Sequence, residues 1–174
     1  KSGAKPKRTI LFIGFAGEEF GLLGAQAWVK AHKDKLPKIA NLFNRDGGPE
    51  PPVGISVPQA MYDDFVKISE PIQKIRPDYP FEVKVREPRK RPTRMGGTDA
   101  SVFAIEGVPT LGFTTEDFKG YDFDYGEIWH TERDLYTKNI PEYQEHTATV
   151  TAIIALGVAN LDKQLSREGL YTEE

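Results

Sequence analysis

Apolar positions along the chain fall into runs, alternations and helical spacings, and each predicts a different element. Arg8 to Ala16 (Arg-Thr-Ile-Leu-Phe-Ile-Gly-Phe-Ala) is apolar without polar alternation, the pattern of a central parallel strand covered on both faces. Gly17 breaks the run. Glu18 to His32 then reads as a helix, with an acidic first turn, apolar Leu22, Leu23, Trp28 and Val29, and a basic end at Lys30 and Lys33. Ile39 to Asn44 predicts a second short strand, closed by the turn-forming Arg45-Asp46-Gly47-Gly48-Pro49. Gly54 to Val57 predicts a brief strand, and Pro58 opens a helix to about Ile75 with Met61, Phe65, Ile68 and Ile72 at helical spacing. Phe81 to Arg86 alternates apolar and charged residues, as a half-exposed strand near a sheet edge does. After a loop from Glu87 to Gly97, Ala100 to Glu106 predicts a short helix capped by Thr98 or Asp99 and closed by Gly107, leading into a strand from Val108 to Phe113. An acidic, aromatic loop covers Thr114 to Arg133. Pro141 to about Gln164 predicts a long helix with Val150, Ile153, Ile154, Gly157 and Leu161 on one face.

Strands alternating with helices imply an α/β fold with a largely parallel sheet. The 174 residues suit one core. With 23 basic and 26 acidic residues the formal net charge is −3, so the overall field gives no reason to expect nucleic acid or an acidic membrane as a partner. No apolar stretch approaches the ~20 residues of a membrane helix. Cysteine is absent, which excludes disulfides, thiolate zinc sites and cysteine nucleophiles. With three histidines, a transition-metal site must lean on carboxylates.

Ligands of open α/β sheets bind outside the carboxyl ends of the strands, and the polar residues at the predicted ends are Glu18, Glu19, Asp46 and the loop to His130. Adjacent Glu18 and Glu19 can divide labour, one binding a metal and the other handling a proton; acidic residues also favour a helix's first turn for dipole reasons. Asp46 sits at a strand end with glycines that permit close backbone approach, although turn aspartates commonly bond their own backbone. Of the histidines, His32 ends a helix, His146 belongs to the long helix with its apolar face, and His130 lies in a loop, which makes it the ligand candidate. The basic cluster Arg89-Lys90-Arg91 lies between Pro88 and Pro92 without interleaved aromatics and reads as a solvated loop. Asp122-Phe123-Asp124-Tyr125-Gly126 lacks the glycine and glutamate positions of a calcium loop.

Arg8 to Ala25, with Gly17-Glu18-Glu19 at its centre, resembles the Gly-Glu-Glu segment of the co-catalytic zinc exopeptidases, which include secreted bacterial leucyl aminopeptidases, plasma glutamate carboxypeptidase and glutaminyl cyclase. Asn44-Arg45-Asp46 resembles the family's Asn-Leu-Asp strand end. Gly97-Thr98-Asp99 followed by Gly107-Val108-Pro109 resembles its Ser-Asp-His and Gly-Ile-Pro stretch, and His130-Thr131 its late His-Thr. The resemblance implies a three-layer α/β sandwich with a mostly parallel central sheet, incomplete at its N-terminal side. Residues 1–174 would be the C-terminal portion of a single catalytic domain. It implies Glu18 as general base, Glu19 and His130 as ligands of one zinc, Asp46 as a ligand of the other, and Asp99 as a supporting carboxylate behind them. Arg45 stands where the family has an apolar residue, and Ala100 where it has a histidine.

The family's upstream His-x-Asp segment, source of a histidine ligand and the bridging aspartate, has no counterpart before Arg8. Since catalytic zinc takes about three protein ligands, two zinc ions are expected in the full-length enzyme and weak or no zinc binding in this chain alone. The implied activity of the parent is metal-dependent hydrolysis of peptide bonds, of aminopeptidase or dipeptidase type. Alternatives within the same resemblance are a glutaminyl cyclase-like single-zinc acyltransferase and a non-catalytic, peptidase-like binding domain. The expected partner is a peptide substrate, with no nucleic acid or membrane, and a sheet edge left exposed would promote self-association.

Overall fold

A computed structural model describes residues Gly3–Thr172. Strand β1 (Pro52–Val57) is the middle of a three-stranded sheet, with β2 (Glu82–Val85) on one side and β3 (Phe113–Thr115) on the other. β2 runs parallel to β1, from Gly54 opposite Glu82 to Val57 opposite Val85. β3 runs antiparallel, with Ile55 opposite Phe113 and Pro52 opposite Thr115 across an irregularity between Pro52 and Gly54. Gly54 is required where it stands, because a β-carbon there would lie 2.5 Å from the Glu82 carbonyl oxygen. β2 is largely exposed, as its alternation and edge position require.

A single 3-10 turn, Gln59–Met61, leads from β1 into helix α2 (Tyr62–Ile75), which points Phe65, Ile68 and Ile72 inward. The long helix α5 (Pro141–Asn160) crosses it, and Val150, Ile154 and Val158 join Ile55, Val57, Met61 and Leu111 in the main core. The crossing is close at Gly157, where any side chain would overlap Ile68. A second, smaller core forms where helix α1 (Leu23–Ala31) meets α3 (Ala100–Ile105): Leu22, Ala25, Val29, Leu36, Val102, Phe103 and Val108. Phe15 and Trp28 flank Phe103 at ring separations of 5.7 and 5.4 Å. Among the described residues no helix is long and apolar enough to cross a membrane.

The α/β class and the helical periodicities match the sequence expectation, and two predicted strands do not. Arg8–Ala16 is extended chain without a ladder: among the described residues, 9–15 form no backbone hydrogen bond to another segment. A strand exists only when a neighbour supplies its hydrogen bonds, and no described residue supplies them here. Ile39–Asn44 also falls short of a strand, for a different reason. It runs beside residues 107–112, but after one backbone bond, Leu42 N–H to Pro109 O at 2.9 Å, the Asn41 side chain replaces the ladder. Its amide donates to Leu111 O at 3.2 Å and accepts from Leu111 N–H at 2.8 Å. The strand predicted at Val108–Phe113 begins only at Phe113.

Helix α1 starts at Leu23 rather than at Glu18, because Gly17, Gly21 and Leu22 all take positive φ and fold 17–22 into a turn in which Glu18 O accepts from Gly21 and Leu22 N–H. α5 ends at Asn160, where the Arg8 guanidinium donates to Leu161 O at 2.5 Å and to Ala159 O at 3.4 Å. Neither Thr98 nor Asp99 caps α3 through its side chain.

Candidate active site

The turn before α1 decides what Glu18 and Glu19 do. Both lie outside the helix, so the dipole explanation for an acidic pair does not apply. Their surroundings differ. Glu18 is half-buried, and Glu19 reaches out so that its Oε1 lies 2.8 Å from His130 Nε2. His130 is placed by the loop that follows β3. Asp124 accepts from Gly126 N–H at 2.8 Å and starts the short helix α4 (Tyr125–Ile128), and Thr131 Oγ1 donates to Glu127 O at 2.8 Å to close it. His130 itself sits at φ 57°, a left-handed conformation that a non-glycine residue adopts at a cost of order 1–3 kcal/mol when its surroundings enforce it. Asp46 is exposed in the turn before β1.

Glu18, Glu19, Asp46 and His130 line one open cleft of about 1440 Å³. Asp99, buried at 8% exposure, does not line the cleft but lies close enough to act on Glu18 and Asp46 electrostatically. Burial first, and then the negative charges of Asp46, Glu19 and Asp99, hold the Glu18 carboxyl above the ordinary carboxylate range, with His130 pulling the other way. Burial and the charge of Asp46 likewise raise Asp99. Asp99 Oδ1 is buried without a hydrogen-bond partner among the described residues, and unpaired buried carboxylate oxygens are costly unless a cation or a donor meets them. The concentration of negative charge and the carboxylate and imidazole donors suit a divalent zinc ion chemically. Among the described residues no three His, Asp or Glu groups come close enough to hold an ion by themselves.

Several cleft features carry no motif in the sequence. Trp129, Leu135 and Tyr136 join Tyr125, from the loop that could shape a pocket, in an aromatic and apolar wall, with Trp129 57% and Tyr136 91% exposed. Thr147, Ala148, Thr151 and Ala152 bring one face of α5 into the same cleft; the signal was a helix apolar on more than one side. Arg45, the residue out of pattern, folds back along its own turn to donate to Glu50 O at 2.7 Å and to Gly48 O. Arg91 of the basic cluster is occupied in a different way, donating from Nε to Ile105 O at 2.9 Å. His32 and His146 serve structure: His32 Nδ1 meets Trp28 O at 2.9 Å, and His146 is fully buried.

The fold is that of a zinc-peptidase-like α/β domain. The sequence matches Peptidase family M28 over residues 1–154, and the chain belongs to that family. It is 24% identical over 170 residues to carboxypeptidase Q of Mus musculus, covering 95% of this chain and 32% of the relative. A shorter stretch of 42 residues, 24% of this chain and 10% of the relative, is 50% identical to a probable zinc metalloprotease of Pyrenophora tritici-repentis. The crystal structure of a Peptidase M28 precursor from Shewanella amazonensis superposes with a TM-score of 0.70 at 25% identity, over 94% of this chain and 34% of the other. The chain thus spans about a third of the length of the full-length relatives it matches.

Proposed function

We propose that this chain is the later portion of a metallopeptidase catalytic domain, that the full-length protein removes residues from peptide ends, and that Glu18 is its general base. The observation that carries the reading is the meeting of Glu18, Glu19, Asp46 and His130 in one cleft from three separate segments, with the buried carboxylate of Asp99 close enough to act on Glu18. Glu19 and His130 would hold one zinc ion, Asp46 would contribute to a second, and the remaining donors would come from the rest of the protein. Bound zinc supplies polarisation of the scissile carbonyl and a more acidic attacking water. Glu18, which makes no contact with His130 of the kind Glu19 makes, takes the proton from that water and delivers it to the leaving amine. The aromatic wall of Tyr125, Trp129 and Tyr136 faces the cleft where a substrate side chain would lie.

The test is hydrolysis of aminoacyl anilides and dipeptides by the full-length protein, with and without chelator, and as Glu18→Gln. Chelation should abolish turnover, and the substitution should lower kcat about 10²- to 10⁴-fold, the usual contribution of a positioned acid-base group. Turnover that survives both treatments would overturn the reading. Ring closure with loss of ammonia from an N-terminal glutaminyl peptide, in place of amino-acid release, would assign the cyclase chemistry instead.

A further inference from the structure

The turn carrying Asp46 and the loop carrying His130 meet at one end of the sheet. β1 and β3 are antiparallel, so the Asp46 turn enters β1 at Pro52 where the His130 loop leaves β3 at Thr115. Thr115 Oγ1 donates to the Glu50 carboxylate at 3.1 Å, and Glu116 N–H donates to Pro51 O at 3.3 Å. Farther out, the two segments touch through bare backbone. A β-carbon built on Gly48 would lie 2.7 Å from Phe123 Cε1 and 2.9 Å from Tyr125 Cδ2, far inside van der Waals contact.

The backbone on each side of this contact is tied in place. Arg45 ties the turn to itself through Gly48 O and Glu50 O. On the other side, the Asp117 carboxylate accepts from the N–H groups of Tyr121, Asp122 and Phe123 at 3.0, 2.7 and 3.4 Å, and from Tyr143 Oη at 2.5 Å. Tyr143 is fully buried in α5, so the Phe123 loop is anchored to that helix.

We infer that Gly48 is a positioning residue of this site: its missing side chain lets Phe123 and Tyr125 seat on the Asp46 turn, and this contact sets the separation between Asp46 and the Glu19–His130 pair. The inference rests on the proposed reading of those residues as zinc ligands. It gives a role to the second glycine of Gly47-Gly48 and to Phe123, which carry no chemistry of their own.

Gly47 supplies a matched control. Neither glycine has a positive φ, so alanine suits both backbones, but a β-carbon on Gly47 meets nothing within 4 Å. In the full-length protein, zinc content would be measured after dialysis against buffered free zinc, alongside kcat and KM. Gly48→Ala should weaken zinc binding about 10-fold or more, the usual consequence of disturbing groups that orient ligands, while Gly47→Ala matches wild type. Phe123→Ala alone should weaken zinc binding too, which keeps the test decisive should Gly48→Ala fail to fold. In the Phe123→Ala background, adding Gly48→Ala should cost much less than in wild type, because contacting residues are non-additive. Gly48→Ala indistinguishable from Gly47→Ala, Phe123→Ala silent on zinc, or full additivity of the pair would each overturn the inference while leaving the peptidase reading intact. A wild-type protein that takes up no zinc and cleaves no peptide would overturn both.

Discussion

Phe65 and Phe12 sit in apolar segments that both predict burial, yet Phe65 is 0% exposed and Phe12 is 93% exposed. The difference is what lies beside each. Phe65 projects from α2, whose ladder of backbone hydrogen bonds runs within the helix, so the helix needs only a surface to lie on; β1 and α5 provide it. Phe12 belongs to a segment whose backbone can be satisfied only by neighbouring strands, and no described residue pairs with 9–15. An apolar run states that side chains are to be covered, while the identity of the cover is not written in the run. Helices are therefore robust to the company they keep, and parallel strands are not.

The largest consequence of the comparison is energetic. Phe65→Ala should destabilise the chain by about 3–5 kcal/mol, the range for emptying a large aromatic site in a packed core. Urea denaturation followed by circular dichroism measures it; a loss under about 1 kcal/mol would mean that the α2–α5 core is as loosely covered as the Phe12 segment.

A smaller effect is tied to pH in the same core. His146 Nε2 lies 3.0 Å from the Pro52 carbonyl oxygen, which can only accept, so Nε2 carries the proton. Nδ1 is buried without a partner among the described residues, and the ring stacks on Tyr79 at 3.9 Å. Burial above all lowers the His146 pKa; the Pro52 bond and Asp78 oppose this, and Arg76 and Lys119 add to it. A histidine whose folded pKa is lowered binds its proton more readily when unfolded. Its stability contribution is thus complete above about pH 6.5 and is lost as pH falls from there through the folded value, at no more than about 1.4 kcal/mol per pH unit. His146→Gln should remove that slope from plots of unfolding free energy against pH. Glu18 and Asp99, whose pKa values are raised, contribute slopes of the opposite sign and are common to both proteins, so the difference isolates His146.

The same contrast explains which parts of the molecule were legible in the sequence. Helical spacing found α2, α3 and the whole of α5, overrunning its end at Asn160, and the alternation of Phe81 to Arg86 found an edge strand. Residue type at strand ends picked out Glu18, Glu19, Asp46 and His130, which the fold brings to one cleft. What stayed hidden depends on partners distant in the chain or on backbone conformation. Asn41 reads as an ordinary strand residue until Leu111 is beside it. The positive φ of Leu22, which delays the helix and frees the acidic pair from its first turn, has no marker in a leucine. Gly48 looks like any turn glycine until Phe123 and Tyr125 close over it.

The smallest stability effect is expected at Phe12, and it is the sharpest check on the comparison. Truncating a side chain that is 93% exposed removes almost no folded-state contact, so Phe12→Ala should change the unfolding free energy of the chain by less than about 0.5 kcal/mol. Association should respond instead. Leu11 at 62% and Phe12 at 93% exposure lie on a backbone whose donors and acceptors find no backbone partner among the described residues, the combination that templates edge-to-edge pairing. The chain is therefore expected to self-associate with rising concentration, and Phe12→Lys to shift sedimentation towards the monomer by placing a charge on the unpaired segment. If Phe12→Ala cost as much as Phe65→Ala, the segment would have to be covered within the monomer. If Phe12→Lys left association untouched, the exposed run would not be the surface through which copies meet.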